Sequence, residues 1–216
     1  MTDGEATLVR GPAGGHGGRT FLLDAMKVAE RNATSMLITV CPAYSGVTSA
    51  IGELQARNAE CVGVDDILAI DLSAPTTDVD VEPGIEVVEV STRAEVAEFE
   101  LTTAHAWGYP EPTSDVIEDA CARLSPGSFL AYRGCRAAGS AGFTLVGQVA
   151  RLWGGAVVPE LRGCGVYRAL VASRLSAASA RGATLALVHA ATSSSPILQR
   201  IGFQKFGERR TFRVTL

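Results

Sequence analysis

Val157-Val158-Pro159-Glu160-Leu161-Arg162-Gly163-Cys164-Gly165-Val166-Tyr167-Arg168-Ala169-Leu170 is the stretch on which the fold turns. An apolar strand runs into a proline, the proline into an Arg-Gly-x-Gly turn, and the turn into an amphipathic helix expected over 166–181. Pro159 removes a ladder donor and ends the strand. Gly163 and Gly165 can take up positive φ and let the backbone approach a ligand closely. The first N–H groups of the helix then face outward at the positive end of its dipole, which is how backbone binds phosphate. Arg162, Gly163, Cys164, Gly165, Val166 and Tyr167 are therefore the candidate anion-binding segment.

Working outward, strands and helices alternate irregularly. After the turn come a strand at 184–188, a short helix at 196–201 and a closing strand at 210–216. Before it, a Glu/Val alternation marks a strand at 85–90, helical spacing covers 93–107 and 114–124, and short strands fit 129–132, 138–145 and 149–158. Antiparallel meanders followed by a crossover make residues 85–216 an α+β domain. The polar segment 74–84, with a proline near each end, reads as a linker. Residues 1–73 read as helix, strand, helix, strand, an αβαβ extension of about half-domain size. Its segments 34–40, 47–58 and 67–72 repeat the strand–helix–strand order of 184–188, 196–201 and 210–216. A degenerate half copy of the later domain and an unrelated extension both stay open.

Composition narrows the function classes. Of 216 residues, 47% are apolar and 19% charged, enough for a sizeable core and too apolar for a disordered chain. A net charge of −4 argues against a broad basic surface for nucleic acid. No apolar run is long enough for a membrane span, and the N-terminus lacks a secretory pattern, so a cytoplasmic location is expected. The five cysteines, widely spaced and without a CxxC pair, read as reduced thiols with no metal site. A homodimer stays open.

The segment 157–170 resembles the acyl-coenzyme A signature of the GCN5-related N-acetyltransferase (GNAT) superfamily, Gln/Arg-x-x-Gly-x-Gly/Ala. Arg162, Gly165 and Tyr167 occupy its defined places. Leu-Trp-Gly-Gly at 152–155 and Pro196-Ile-Leu-Gln-Arg-Ile-Gly-Phe203 resemble neighbouring superfamily features, so the similarity covers about 85–216. The resemblance implies a mixed, mostly antiparallel twisted sheet with flanking helices. Its fourth and fifth strands, here 149–158 and 184–188, would splay into a V. Pantetheine would pair with backbone near Val157 and Val158, and pyrophosphate would sit on the amides of 162–167. The implied reaction is direct attack by an amine, most simply a small-molecule primary amine, on the thioester of acetyl-CoA as cosubstrate, in a ternary complex. Positioning and charge stabilisation would supply most of the catalysis.

Three departures stand out. Tyr167 holds a place usually given to Gly or Ala. Leu198 stands where the superfamily often has a tyrosine acid, so water, Ser194 or Ser195 would protonate the departing thiolate. No carboxylate lies between Gln148 and Val158, where a glutamate base is common.

Individual side chains carry paired readings. His189, after the fifth superfamily strand, is a candidate base because imidazole titrates near neutrality, or a hydrogen-bonded structural residue. Glu160 is a base acting through water or a helix-start acid. Tyr109, Arg151 and Trp153 are candidate acceptor contacts, against core packing for Trp153 and plain exposure for Arg151. Cys164 lacks a histidine partner and is no nucleophile. The stretch Gly14-Gly15-His16-Gly17-Gly18-Arg19-Thr20 approaches a P-loop, but Ala13 and Arg19 break the required pattern, which favours a flexible glycine loop. Against the acetyltransferase stand a non-catalytic acyl-CoA-binding or interaction module and, more weakly, a nucleotide-binding protein.

Overall fold

The computed structural model describes residues 5–8, 18–31, 35–41, 47–73, 79 and 81–216. The glycine stretch at 11–17 and linker residues 74–78 and 80 lie outside them. In chain order the elements are β1 (Glu5–Leu8), α1 (Gly18–Ala29), β2 (Ser35–Val40), α2 (Val47–Ala56), β3 (Glu60–Asp71), β4 (Ile85–Glu89), α3 (Arg93–Trp107) and α4 (Ser114–Ala122). There follow β5 (Ser128–Arg133), β6 (Arg136–Val146), β7 (Val149–Val157), a 3₁₀ turn at Pro159–Leu161, α5 (Val166–Ala180), β8 (Leu185–Ala191), α6 (Ser195–Ile201) and β9 (Gln204–Thr215). The expected α+β class holds. To the expected helix–strand–helix–strand opening the structure adds β1 in front.

Two compact units are present, each assembled from non-consecutive segments. The first comprises Met1–Ile67, His189–Pro196 and Lys205–Leu216; the second comprises Leu68–Val188 and Ile197–Gln204. In the first unit the strand order is β1-β2-β9-β3. β1 pairs parallel with β2, and β2 pairs antiparallel with β9 in the register Met36↔Val214 and Ile38↔Phe212. Those four side chains therefore share a face, and they form a core with Leu22 and Met26 of α1 and Ala50 and Leu54 of α2. On the other face the hydroxyls of Thr39 and Thr211 meet at 2.9 Å.

In the second unit the order is β8-β7-β6-β5-β4. β4 through β7 form an antiparallel meander, and β7 pairs parallel with β8 through the crossover helix α5. The helix buries Val166, Ala169, Leu170, Val171, Arg174, Leu175 and Ala178. Gly139 of β6 makes this close packing feasible: a Cβ there would lie 3.1 Å from both Leu170 Cδ1 and Val166 Cγ1. At the far end of α5 the Arg181 guanidinium bonds both carboxylate oxygens of Glu89 at 2.6 Å and stands over the Phe143 ring. Helix α3 opens with a reciprocal cap, in which Thr92 Oγ1 accepts from the Glu95 amide while Glu95 accepts from the Thr92 amide. It closes at Gly108, φ +70°.

Candidate functional site

The turn at the head of α5 is built from three local choices. Pro159 opens a single 3₁₀ turn and the chain leaves it extended at Arg162. The Arg162 side chain folds back: its Nε donates to the Val157 carbonyl at 3.2 Å and its Nη2 to the Ala106 carbonyl at 2.9 Å. The signature arginine thus ties the end of β7 to the last turn of α3. Gly163 and Gly165 both have positive φ, +78° and +81°. Their surroundings differ. A Cβ on Gly163 would meet nothing within 4 Å, whereas one on Gly165 would come within 2.5 Å of Glu82 Cγ. The N-cap residue of α5 is Gly165, which has no side chain to cap with, and the first turn of α5 holds no acid, so its leading N–H groups have no local side-chain acceptor. A helix start of this kind offers backbone N–H groups and the positive end of the helix dipole to an anion.

Tyr167 fits because of a glycine across from it. A Cβ on Gly155 of β7 would lie 2.9 Å from Tyr167 Cε2, so the ring occupies the space that the missing side chain leaves. Gly155 belongs to a bulge. The β6–β7 register runs Ser140↔Ala156 and then Gly142↔Trp153, placing two residues of β7 opposite one of β6. Under the bulge lies Arg174, 2% exposed. Its Nε donates to the Leu170 carbonyl at 3.0 Å, and its Nη1 to the carbonyls of Gly142 and Trp153, both at 3.3 Å. Burial pulls its pKa down from the ordinary arginine range, and its interaction with the Tyr167 side chain opposes the shift. The pairing of β7 with β8 ends at Leu152↔Val188, although β7 continues to Val157.

Glu160 is exposed and stands between His105 and Arg136: His105 Nε2 lies 3.4 Å from Oε1, and Arg136 Nη2 3.3 Å from Oε2. Its own backbone N–H, followed by His105 and Arg136, lowers its pKa below the usual carboxylate range. Trp153 and Arg151 are exposed on β7. The Trp153 indole donates to Thr144 Oγ1 at 3.0 Å and meets Phe99 edge-on, with centroids 6.4 Å apart. Tyr109 is exposed just beyond the cap of α3, and Cys164 is half-buried. Val158, buried, donates its N–H to the Ala138 carbonyl, and Val157 is half-buried.

The remaining candidates belong to the first unit. His189 is half-buried in β8. The Ser194 hydroxyl donates to the Ala191 carbonyl at 3.2 Å. Ser195 is buried, and its hydroxyl donates to Asp66 Oδ2 at 2.5 Å. Lys205 reaches the other oxygen of Asp66 at 2.6 Å, and these two hydrogen bonds lower the Asp66 pKa. Leu198, in the second unit, is fully buried. Among the described residues no group of His, Cys, Asp and Glu could hold a metal ion, and no helix is long and apolar enough to cross a membrane.

Arg174, His105 and Glu100 were not singled out from the sequence. Arg174 had a signal: it falls in step with Val166, Leu170 and Ala178 on the buried stripe of α5. His105 and Glu160 are brought together only by tertiary packing.

The sequence model of the acetyltransferase (GNAT) family matches residues 94–203, just over half of the chain. No curated protein sequence matches it. Among solved structures, a GCN5-related N-acetyltransferase from Sphaerobacter thermophilus superposes with a TM-score of 0.70 at 17% identity over 92% of this chain. The match covers 65% of that protein, a little under two thirds of its length. A GCN5-related N-acetyltransferase from Kribbella flavida gives 0.62 at 17% identity, covering 91% of this chain and 74% of the other. A tandem GNAT protein from the clavulanic acid biosynthesis pathway gives 0.60 at 17%, covering 92% and 69%. At such identities the likeness concerns the fold.

Proposed function

The chain belongs to the acetyltransferase (GNAT) family, and we propose that it moves the acetyl group of acetyl-CoA onto the primary amine of a small molecule. What supports acetyl-CoA as the donor is the head of α5, an uncapped helix start behind two positive-φ glycines, following a strand that has run past its parallel partner. Amides of residues 162–167 hold the pyrophosphate, and pantetheine lies along β7 near Val157 and Val158. Because Arg162 already occupies the Val157 carbonyl, the backbone offered to pantetheine is what Arg162 leaves free.

The neutral amine attacks the thioester carbonyl, a C–N bond forms, and the C–S bond breaks to release CoA thiolate. The nitrogen loses one proton to a base. His189 is the proposed base, with Glu160 acting through water as the second route. Stabilisation by its own amide, His105 and Arg136 makes Glu160 the weaker base at neutral pH. Buried Leu198 cannot donate a proton, and the Ser195 hydroxyl already donates to Asp66. A thiol with a pKa of about 8.5 departs as thiolate at small cost near neutrality, so water suffices, or Ser194 once its hydroxyl leaves the Ala191 carbonyl. Tyr109, Arg151 and Trp153 contact the acceptor. Residues 85–216 carry the catalytic domain, and 1–73 form a structural extension joined through 74–84.

The base is tested by pH profiles of kcat/KM. With His189 as base, the profile has an ionisation near neutrality, and His189→Gln lowers kcat by about 10²-fold or more while acetyl-CoA affinity stays near wild type. A folded His189→Gln protein with near-full kcat across the pH range removes the histidine from the chemistry.

A further inference from the structure

Between α3, α4 and the β5–β7 face of the second unit lies an open cleft of about 240 Å³, the volume of about eight water molecules. Val96, Phe99, Glu100, Arg123, Ser128 and Trp153 are among its lining residues. Its aromatic wall is fixed. Trp153 stands directly over Gly142, where a Cβ would fall 2.3 Å from the indole, and it is held by Thr144 and by the edge-on contact with Phe99. A wall already in place costs little ordering when a ligand arrives.

Glu100 is the unusual member. It is half-buried and has no ion pair or hydrogen bond among the described residues. Arg123, the cation beside it, donates through Nε to the Asp119 carbonyl at 3.2 Å and lies 3.9 Å from the Asp119 carboxylate. Burial raises the Glu100 pKa and Arg123 only partly opposes it, so the ionised form lacks a full counter-charge. A carboxylate withdrawn from water beside two aromatic rings is complementary to an organic cation, through charge and through the ring faces.

Position adds a second argument. Trp153 is the residue of β7 immediately before the Gly154–Gly155 bulge, and the pairing with β8 has ended one residue earlier. A molecule against Trp153 therefore lies on the strand proposed to carry pantetheine, four residues before Val157. We infer that this cleft seats the cationic part of the acceptor, an ammonium compound with a compact aryl or alkyl body, with Glu100 as counter-charge and Phe99 and Trp153 as walls. The inference rests on the acetyl-transfer reading for its biological sense, but occupancy of the cleft is measurable without turnover.

The test is a titration of the full chain, free of acetyl-CoA, followed by the assigned Trp153 indole resonance. The probes are 2-phenylethylamine, cyclohexylmethylamine and putrescine, each paired with the alcohol of the same skeleton. At least one ammonium compound is expected to shift the Trp153 signal saturably and to bind tenfold or more tightly than its alcohol. Glu100→Gln, which keeps shape and removes charge, should abolish that preference, while Glu100→Asp should retain part of it. If no amine moves the Trp153 signal, or if folded Glu100→Gln keeps the full amine-over-alcohol preference, the assignment falls. Acetyl-CoA affinity and thioester consumption are read separately. A cleft that takes amines in a protein that never consumes the thioester would overturn the acetyl-transfer reading and leave the cation seat standing.

Discussion

Replacing Arg174 with methionine should loosen the bulge of β7 on which the donor side depends. Methionine fills similar volume without charge, so the change removes the donors to Leu170, Gly142 and Trp153 and the contact with Tyr167. Leu170 keeps its helical N–H partner, whereas the Gly142 and Trp153 carbonyls each lose a donor at about 1–3 kcal/mol, and relief from burying a cation offsets part of the total. A net loss of about 2–4 kcal/mol follows, which for a chain of 216 residues lowers Tm by about 4–16 °C. Thermal unfolding followed by circular dichroism measures the loss, and calorimetric titration with acetyl-CoA measures its effect on binding. Arg174→Lys should recover only part of the stability, since a single ammonium cannot span all three carbonyls. The reasoning is refuted if Arg174→Met unfolds within about 1 °C of wild type and binds acetyl-CoA equally well.

Gly165→Ala combines a strained positive φ with a clash against Glu82 Cγ, and should weaken acetyl-CoA binding about tenfold or more. Adding Glu82→Ala should restore part of the affinity in calorimetry; no recovery would show that the contact with Glu82 is not what Gly165 protects. A pH titration of the Ser91 and Thr92 amide resonances reads the α3 cap. Glu95 is held down to about 2, first by the Ser91 amide and then by the Thr92 amide, so the cap's contribution is complete above 4.5 and is lost as pH falls toward 2. A midpoint near 4.5 would mean that the cap does not form as described.

The turn at the head of α5 was legible because strand end, proline, glycines and helix start are consecutive in the chain, and local geometry follows from local sequence. The meander and α3 were legible for the same reason: periodicity and caps lie within each element. Strand β9 begins at Gln204, earlier than the expected 210, because its opening residues Lys205 and Arg209 are charged. Their pairing with Asp66 and Asp65 of β3 joins residues far apart in sequence. The same pairing explains why β3 starts at Glu60 rather than near 67. Tyr167 departed from the signature in the sequence, and only the facing Gly155 accounts for it. Ser195 looked like an available hydroxyl until folding brought Asp66 to it.

The central claim is tested most directly by measuring free thiol released from acetyl-CoA by the full chain with a panel of small primary amines, with mass spectrometry of each amine. Amine-dependent CoA release matched by an equal yield of the N-acetylated amine is the predicted result. Saturable acetyl-CoA binding with no thiol release above the enzyme-free rate for any amine would contradict it.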